Sequence, residues 1–287
     1  MNKRLPAIIS TVSNSFCDFT LDIAVNKYSM YFILFGTALG SFLFQLIYGI
    51  INGVTVTYSS LIFIFINGFC MLLGYIFYVQ ALKRLPVALT GLIESGSLFA
   101  YLFIDFICGY LSINLWFLFL FFMFIVSIFI FSYDTYKEKN KNKIKKIKMS
   151  GILILLCSMF FYGLEPYLIK FASNRGANEI GINFGYYFFA LPFFFIMMLK
   201  NKNKQTKNGN NKAIKLIILI SFFEAIYYLF GTIGYVNEVA VINAIIQEIR
   251  VFLLFMLSIA FGTDKLSLNK VIAIIIGFLS IIGIYLY

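Results

Sequence analysis

The chain has 287 residues, of which 61% are hydrophobic, 20% aromatic and 12% charged, with a mean hydropathy of +0.92. A soluble domain carries about twice that charged fraction, and a fold of this length cannot hide so many apolar residues from water. The net charge of +11 does not indicate a nucleic-acid partner, because the lysines lie in loops between apolar segments. The composition predicts an all-α polytopic membrane protein and excludes a soluble or disordered chain.

The residue counts also limit the chemistry. Histidine is absent, which excludes histidine-dependent hydrolysis, zinc peptidase motifs and histidine proton relays. The four cysteines lie singly in apolar segments, without the spacing of a disulfide framework or a thiolate metal site. The long loops offer lysine and asparagine rather than clustered catalytic acids. We therefore expect no metal, no cofactor and no enzymatic activity.

Polar or charged breaks divide the sequence into apolar runs, each close to the roughly 20 residues that cross a bilayer. The runs do not alternate with the period of two that barrel strands show. We therefore predict ten transmembrane helices. In chain order they cover 5–25, 30–50, 58–81, 86–108, 112–133, 150–172, 180–199, 213–235, 239–261 and 268–287.

Two loops hold most of the positive charge. Residues 134–149 contain seven lysines and residues 200–215 contain six. Because lysine and arginine accumulate on the cytoplasmic face, both loops are predicted to be cytoplasmic, in a multi-pass protein of the plasma membrane. Their side of the membrane carries eighteen basic residues against four on the other side, which places both termini outside.

The two halves of the chain resemble each other. Gly109–Asn114 opens the fifth span with Leu-Ser-Ile-Asn, and Asp264–Asn269 opens the tenth with Leu-Ser-Leu-Asn. The predicted organisation is a five-helix repeat over 1–133, the lysine-rich loop 134–149 and a second repeat over 150–287. Because five is odd, the repeats must have opposite orientations, an architecture typical of secondary transporters with a binding site at the midplane.

This pattern resembles the drug/metabolite transporter superfamily, in particular its ten-helix EamA-type members. The resemblance rests on Ala81–Ala88 before the fourth span and on Thr263–Ser267 before the tenth, which is similar to the family's Gly-Glu-x-Leu-Ser corner. Tyr162-Gly163 is similar to the family's Trp-Gly, whereas Gly109 replaces the acid in the first corner. The resemblance implies alternating access driven by protons or exchange, and it leaves the substrate open. Such relatives usually keep both termini inside, which disagrees with the charge distribution.

Ionisable residues inside spans are costly and usually face a cavity or a partner. One arginine, Arg250, lies deep in a span, against six acids, so protons or an external cation must neutralise some of the acids. This imbalance predicts an acidic working site. The six acids are Asp18, Glu94, Asp105, Glu165, Glu224 and Glu248.

Glu165 follows Tyr162 by three residues on one helix face and precedes Pro166, which removes a backbone donor and loosens the helix. A carboxylate beside an aromatic ring suits an ammonium ion, although a neutral carboxyl bonded to a tyrosine fits equally well. Glu224 has Tyr228 four residues later. In ten-helix relatives, spans 1, 3, 4, 6, 8 and 9 line the central cavity, and the resemblance would place Glu224 and Tyr78 there.

The fourth and ninth spans each carry a polar face. In the fourth span the face comprises Thr90, Glu94, Ser97, Tyr101 and Asp105, and in the ninth it comprises Asn243, Gln247 and Arg250, with Glu248 beside it. Arg250 either pairs with Glu94 or Glu248, or holds a substrate carboxylate. The second case favours an amino acid as substrate, and the first favours a cationic amine.

Asn14 and Asp18 lie one turn apart in the first span and form a further candidate proton or cation site, whereas Asp22 is expected to contact water. The predicted function is secondary transport of a small polar metabolite, such as an amine or amino acid, coupled to protons or a counter-substrate. Burial favours the neutral form of a carboxyl, so Glu165 or Glu224 would carry the proton. Translocation of a lipid carrier is the alternative, and a channel is less favoured because single carboxyls do not form rings of charge.

Overall fold

The computed structural model describes residues 4–107, 114–137, 147–201, 210–237, 246–247 and 249–285. Within these ranges the chain is helical and contains no strand. The helices are α1 (Leu5–Lys27), α2 (Met30–Asn52), α3 (Leu61–Leu82), α4 (Val87–Glu94), α5 (Ser97–Ile107), α6 (Leu115–Lys137), α7 (Met149–Ser173), α8 (Glu179–Lys200), α9 (Asn210–Asn237), α10 (Arg250–Ala260) and α11 (Leu268–Tyr285).

The predicted spans agree with these helices to within a few residues at most ends. The predicted fourth span is occupied by α4 and α5, which are separated by Ser95 and Gly96. The predicted ninth span contains α10, while its residues 239–245 lie outside the described ranges. In the described part of the chain, six helices are long and apolar enough to cross a membrane: α2, α3, α6, α7, α8 and α9.

Polar side chains mark several helix starts. Asn178 precedes α8, and its Oδ1 accepts a hydrogen bond of 3.0 Å from the backbone N–H of Gly181. Asn114 precedes α6 in the same way and accepts one of 2.9 Å from the N–H of Phe117. These caps satisfy backbone donors that the first helical turn leaves without partners.

The chain divides into two compact units, each of which takes segments from both halves of the sequence. The first unit comprises residues 1–73 and 165–243, and the second comprises 74–164 and 244–287. In the first unit α1 and α2 pack against α9, and α2 also packs against α8. α3 crosses α8 where Gly68 faces Gly185: a Cβ on Gly68 would lie 2.1 Å from the Gly185 carbonyl oxygen. Only glycine permits this approach of two backbones.

The second unit has an aromatic core. Phe99 of α5 packs on Phe117 and Phe124 of α6, with ring centroids 5.9 and 5.0 Å apart. Ile281 of α11 joins the same buried cluster. α6 packs along α11, and α4 packs on α10. This packing holds the ends of α4 and α10, where Glu94 and Arg250 lie.

Candidate functional site in the first unit, and an ion pair in the second

Glu224 lies at the contact between α9 and α2 and is 1% exposed. The hydroxyl of Ser41 on α2 donates a hydrogen bond of 2.7 Å to Glu224 Oε2, and the same hydroxyl lies 3.1 Å from the carbonyl oxygen of Ser221. Gly36 and Gly40 permit the close approach, since a Cβ on Gly40 would lie 2.3 Å from Ser221 Oγ. Gly36 and Gly40, one turn apart, thus allow α2 to approach α9 so closely that the Ser41 hydroxyl reaches Glu224.

Buried tyrosines of α8 and α9 lie near this acid: Tyr186, Tyr187 and Tyr228. The side chain of Tyr187 interacts with Ser41, the residue that bonds Glu224. The ring of Tyr186 lies 5.2 Å from that of Tyr228 and 5.1 Å from that of Tyr187. Of these residues, Tyr228 was predicted from the sequence, whereas Tyr186, Tyr187 and Ser41 were not. The missed signal is the Asn183-x-x-Tyr186-Tyr187 spacing, which puts polar groups on one face of a phenylalanine-rich helix.

The polar stripe of α1 is buried over its whole length. Asn14, Asp18 and Asp22 are 8%, 4% and 8% exposed, one turn apart. Asn26 donates a hydrogen bond of 2.9 Å to Asp22 Oδ1. The expectation that Asp22 contacts water is therefore wrong: α1 packs against α9, and its buried polar stripe includes Asp22.

Glu94 and Arg250 form an ion pair within the second unit. Arg250 Nη2 lies 2.7 Å from Glu94 Oε2, and both residues are at least nine-tenths buried. Glu94 is the last residue of α4 and Arg250 the first of α10, so each charge meets the favourable end of the other helix. Of the arrangements that the sequence left open for Arg250, the pair with Glu94 is observed.

The remaining candidates of the second unit are described only in part. Tyr78 on α3 is 2% exposed, and Gln247 is half-buried just before α10. Asn243 and Glu248 lie outside the described residues, as do the side chains of Tyr101 and Asp105.

Tyr162 and Glu165 lie on α7 and are half-buried. The helix continues from Met149 to Ser173 through Pro166, so the predicted loosening does not interrupt it. In the second unit the ring of Tyr162 packs against Gly74 of α3, and Ser158 Oγ donates a hydrogen bond of 2.8 Å to the Gly74 carbonyl.

A second buried ion pair was missed. Lys270 Nζ lies 2.5 Å from Asp264 Oδ1, and both side chains are almost completely buried. Asp134, which the sequence assigned to a solvated loop, lies in the last turn of α6 and accepts hydrogen bonds from Ser267 Oγ and Asn269 Nδ2. α6 extends to Lys137 because these contacts tie its end to the start of α11. The predicted loop is correspondingly shorter.

Comparison with known proteins fits this helical arrangement. Residues 149–286 match the model of the EamA-like transporter family. This part of the chain belongs to that family. The resemblance to the drug/metabolite transporter superfamily is thereby confirmed, and the protein is a multi-pass membrane transporter of small molecules.

One solved structure, titled only "Crystal structure of protein", covers 96% of this chain and 95% of its own at a TM-score of 0.65. Its sequence identity of 16% shows a common fold alone. No curated protein matches the chain.

Proposed function

We propose that the protein is a secondary transporter which moves a small polar metabolite by alternating access, through ten spans in two inverted five-helix repeats. Two observations support the repeat. Each compact unit contains corresponding spans from both predicted repeats. α4 ends at Glu94 and α10 begins at Arg250, in the fourth span of one predicted repeat and the fourth span of the other. Discontinuous helices at corresponding positions are typical of secondary transporters.

Glu224 carries the coupling in this proposal. The observation behind it is a 1% exposed carboxyl whose Oε2 accepts a hydrogen bond from the neutral hydroxyl of Ser41. Burial favours the neutral acid, and opening of the site to water favours the carboxylate, so the group gains and loses a proton as access alternates. Glu165, which is half-buried on α7, is the second candidate for the residue that carries the coupling.

Counterflow in liposomes tests this function. Purified protein is reconstituted with an excess of unlabelled 2-phenylethylamine or phenylalanine inside, and uptake of the labelled probe is followed with and without a proton gradient. We expect saturable uptake of at least one probe. Glu224→Gln should abolish the response to the gradient, while Glu179→Gln, a matched change at the start of α8, should preserve it. Uptake that does not saturate would indicate a channel, and full gradient-driven uptake by both Glu224→Gln and Glu165→Gln would refute the coupling.

We also propose that the lysine-rich loops 134–149 and 200–215 face the cytoplasm of a plasma membrane and that both termini are outside. The support is the concentration of lysine in these loops. Alkaline phosphatase fused after Tyr287 should be active, and green fluorescent protein at the same position should be dark. An inactive phosphatase with a fluorescent partner fusion would reverse the orientation.

A further inference from the structure

We infer that Glu224, Gln45 and the neighbouring tyrosines form a binding site for an ammonium group, so that the transported metabolite is an amine without a required carboxylate. The inference rests on the proposed transport function and narrows its substrate class. Three features carry it: a buried acid, a buried amide oxygen that needs a donor, and a set of aromatic rings.

Gln45 provides the amide oxygen. It lies one turn after Ser41 on α2 and is 1% exposed. Its Nε2 lies 3.5 Å from the carbonyl oxygen of Ala225, the residue after Glu224. Among the described residues, no donor reaches Gln45 Oε1. A buried acceptor without a donor destabilises the folded protein. An N–H donor brought by a ligand would remove that cost.

The aromatic rings favour a cation in the same place. Tyr186 and Tyr228 approach each other at 5.2 Å between ring centroids, and Tyr187 interacts with Ser41, the residue that bonds Glu224. The faces of aromatic rings attract ammonium groups, most strongly where water is excluded. An ammonium group has three N–H donors, which match the Glu224 carboxylate and the Gln45 amide oxygen with one left over. A carboxylate ligand would meet acceptors at both positions instead.

The basic residues do not provide for a carboxylate in this unit. Over the described part of the first unit, every lysine and arginine lies in a connection or in the outer two turns of a helix: Arg4, Lys27, Lys170, Arg175, Lys200, Lys212 and Lys215. Even Lys215 lies nine residues from Glu224 on α9, roughly 13 Å along the axis. In the second unit, Arg250 is engaged with Glu94. The carboxylate of a zwitterion would therefore find no described lysine or arginine of this unit near Glu224.

A matched probe series tests the inference by calorimetry on the purified full-length protein in detergent. The probes share one ring and differ in charge: 2-phenylethylammonium, 3-phenylpropionate and zwitterionic phenylalanine. We expect the amine to bind and the other two to bind at least about tenfold more weakly. Glu224→Gln should weaken amine binding by at least about tenfold, and Gln45→Leu by about three- to tenfold. Glu179→Gln and Gln80→Leu, which change an acid and an amide elsewhere, should bind as the parent protein does.

Each outcome supports or overturns a separate statement. All variants must first elute as monodisperse protein and unfold cooperatively; if Gln45→Leu fails this check, Gln45→Met replaces it. Amine binding that is unchanged in Glu224→Gln and in the Gln45 variant would overturn the site. Tighter binding of phenylalanine or phenylpropionate than of the amine would overturn the substrate class and leave the transport proposal standing. Glu224-dependent amine binding without saturable counterflow would leave the site standing and refute transport.

Discussion

Glu224 in the first unit and Glu94 in the second are both buried acids, yet their observed partners differ. Glu94 faces the guanidinium of Arg250 at 2.7 Å, whereas Glu224 accepts a hydrogen bond from the hydroxyl of Ser41 at the same distance. The Glu94 and Arg250 charges compensate each other, and separating the two would leave an uncompensated charge in the interior. A hydroxyl serves the neutral and the ionised acid alike. We therefore propose a structural role for the Glu94 pair and an exchangeable proton on Glu224.

The strongest way to break this comparison is to remove the charged partner. Arg250→Leu should lower the free energy of unfolding by about 3–5 kcal/mol, because it leaves the Glu94 carboxylate buried without its cation. Denaturant titration of the protein in mixed micelles measures the loss. The double variant Glu94→Leu with Arg250→Leu should recover most of it, since an apolar pair often replaces a buried ion pair at little cost. A single variant as stable as the parent would show that the pair has no structural role.

Glycine substitutions in the two units, one in each, sharpen the same comparison. Gly40→Ala should cost about 1–3 kcal/mol, because the new Cβ would lie 2.3 Å from Ser221 Oγ and 2.7 Å from its Cβ at the seam that seats Ser41 on Glu224. Gly91→Ala meets only the end of the flexible Leu254 side chain closely, at 2.7 Å, and should cost less. The same titration compares the two variants. Equal losses would mean that the α2–α9 seam is no tighter than the contact between α4 and α10.

Loss of the Ser41 hydroxyl should lower stability less than the substitution of Gly40. Ser41→Ala should cost about 1–2 kcal/mol, because Glu224 loses a hydrogen-bond donor in a buried site. Ser127→Ala is the matched control: its hydroxyl is equally buried and bonds only the Phe124 carbonyl of its own helix, so its loss should fall within about 0.5 kcal/mol. If both variants lose the same stability, the bond to Glu224 contributes nothing particular.

Glu224→Gln should have the smallest effect on folding, below about 1 kcal/mol, because the amide keeps the size of the neutral acid and can still accept from Ser41. Glu94→Gln should cost more, since it leaves Arg250 without its counterion. Unfolding midpoints of the two variants test this order directly. The reverse order would indicate that Glu224 is ionised in the closed protein.

The helices followed closely from the sequence, because long apolar runs bounded by lysine, proline and asparagine leave little choice of boundary. Asp22 and Asp134 show the limit of that approach. Both lie near predicted span ends, where hydropathy indicates water, yet both are buried. Asp134 accepts hydrogen bonds from Ser267 and Asn269 of a neighbouring segment, whereas the bond that Asp22 accepts from Asn26 is within its own helix. The position of a residue along a helix therefore predicts its exposure to water only when no neighbouring element covers that end of the helix.

The sequence was enough to predict which residue types form the site, but not which residues on other helices contact them. Glu224 and Tyr228 were identified because an acid in an apolar helix is costly and tyrosine at helical spacing can meet it. Ser41, Gln45 and Tyr186 come from other helices, and a single sequence does not encode which helices pack together. The Glu94–Arg250 pair could be proposed, beside a pair with Glu248, because Arg250 was the one basic residue deep in a predicted span. The break after Glu94 that positions the pair required the structure.

Proton release on substrate binding tests the exchange at Glu224 most directly. The purified protein is held in weakly buffered detergent at neutral pH with a pH-indicator dye, and 2-phenylethylammonium is added. We predict that about one proton appears for each amine bound by the parent protein and by Glu179→Gln, and none for Glu224→Gln. Amine binding without proton release in the parent protein, or equal release from Glu224→Gln, would contradict an exchangeable proton on Glu224.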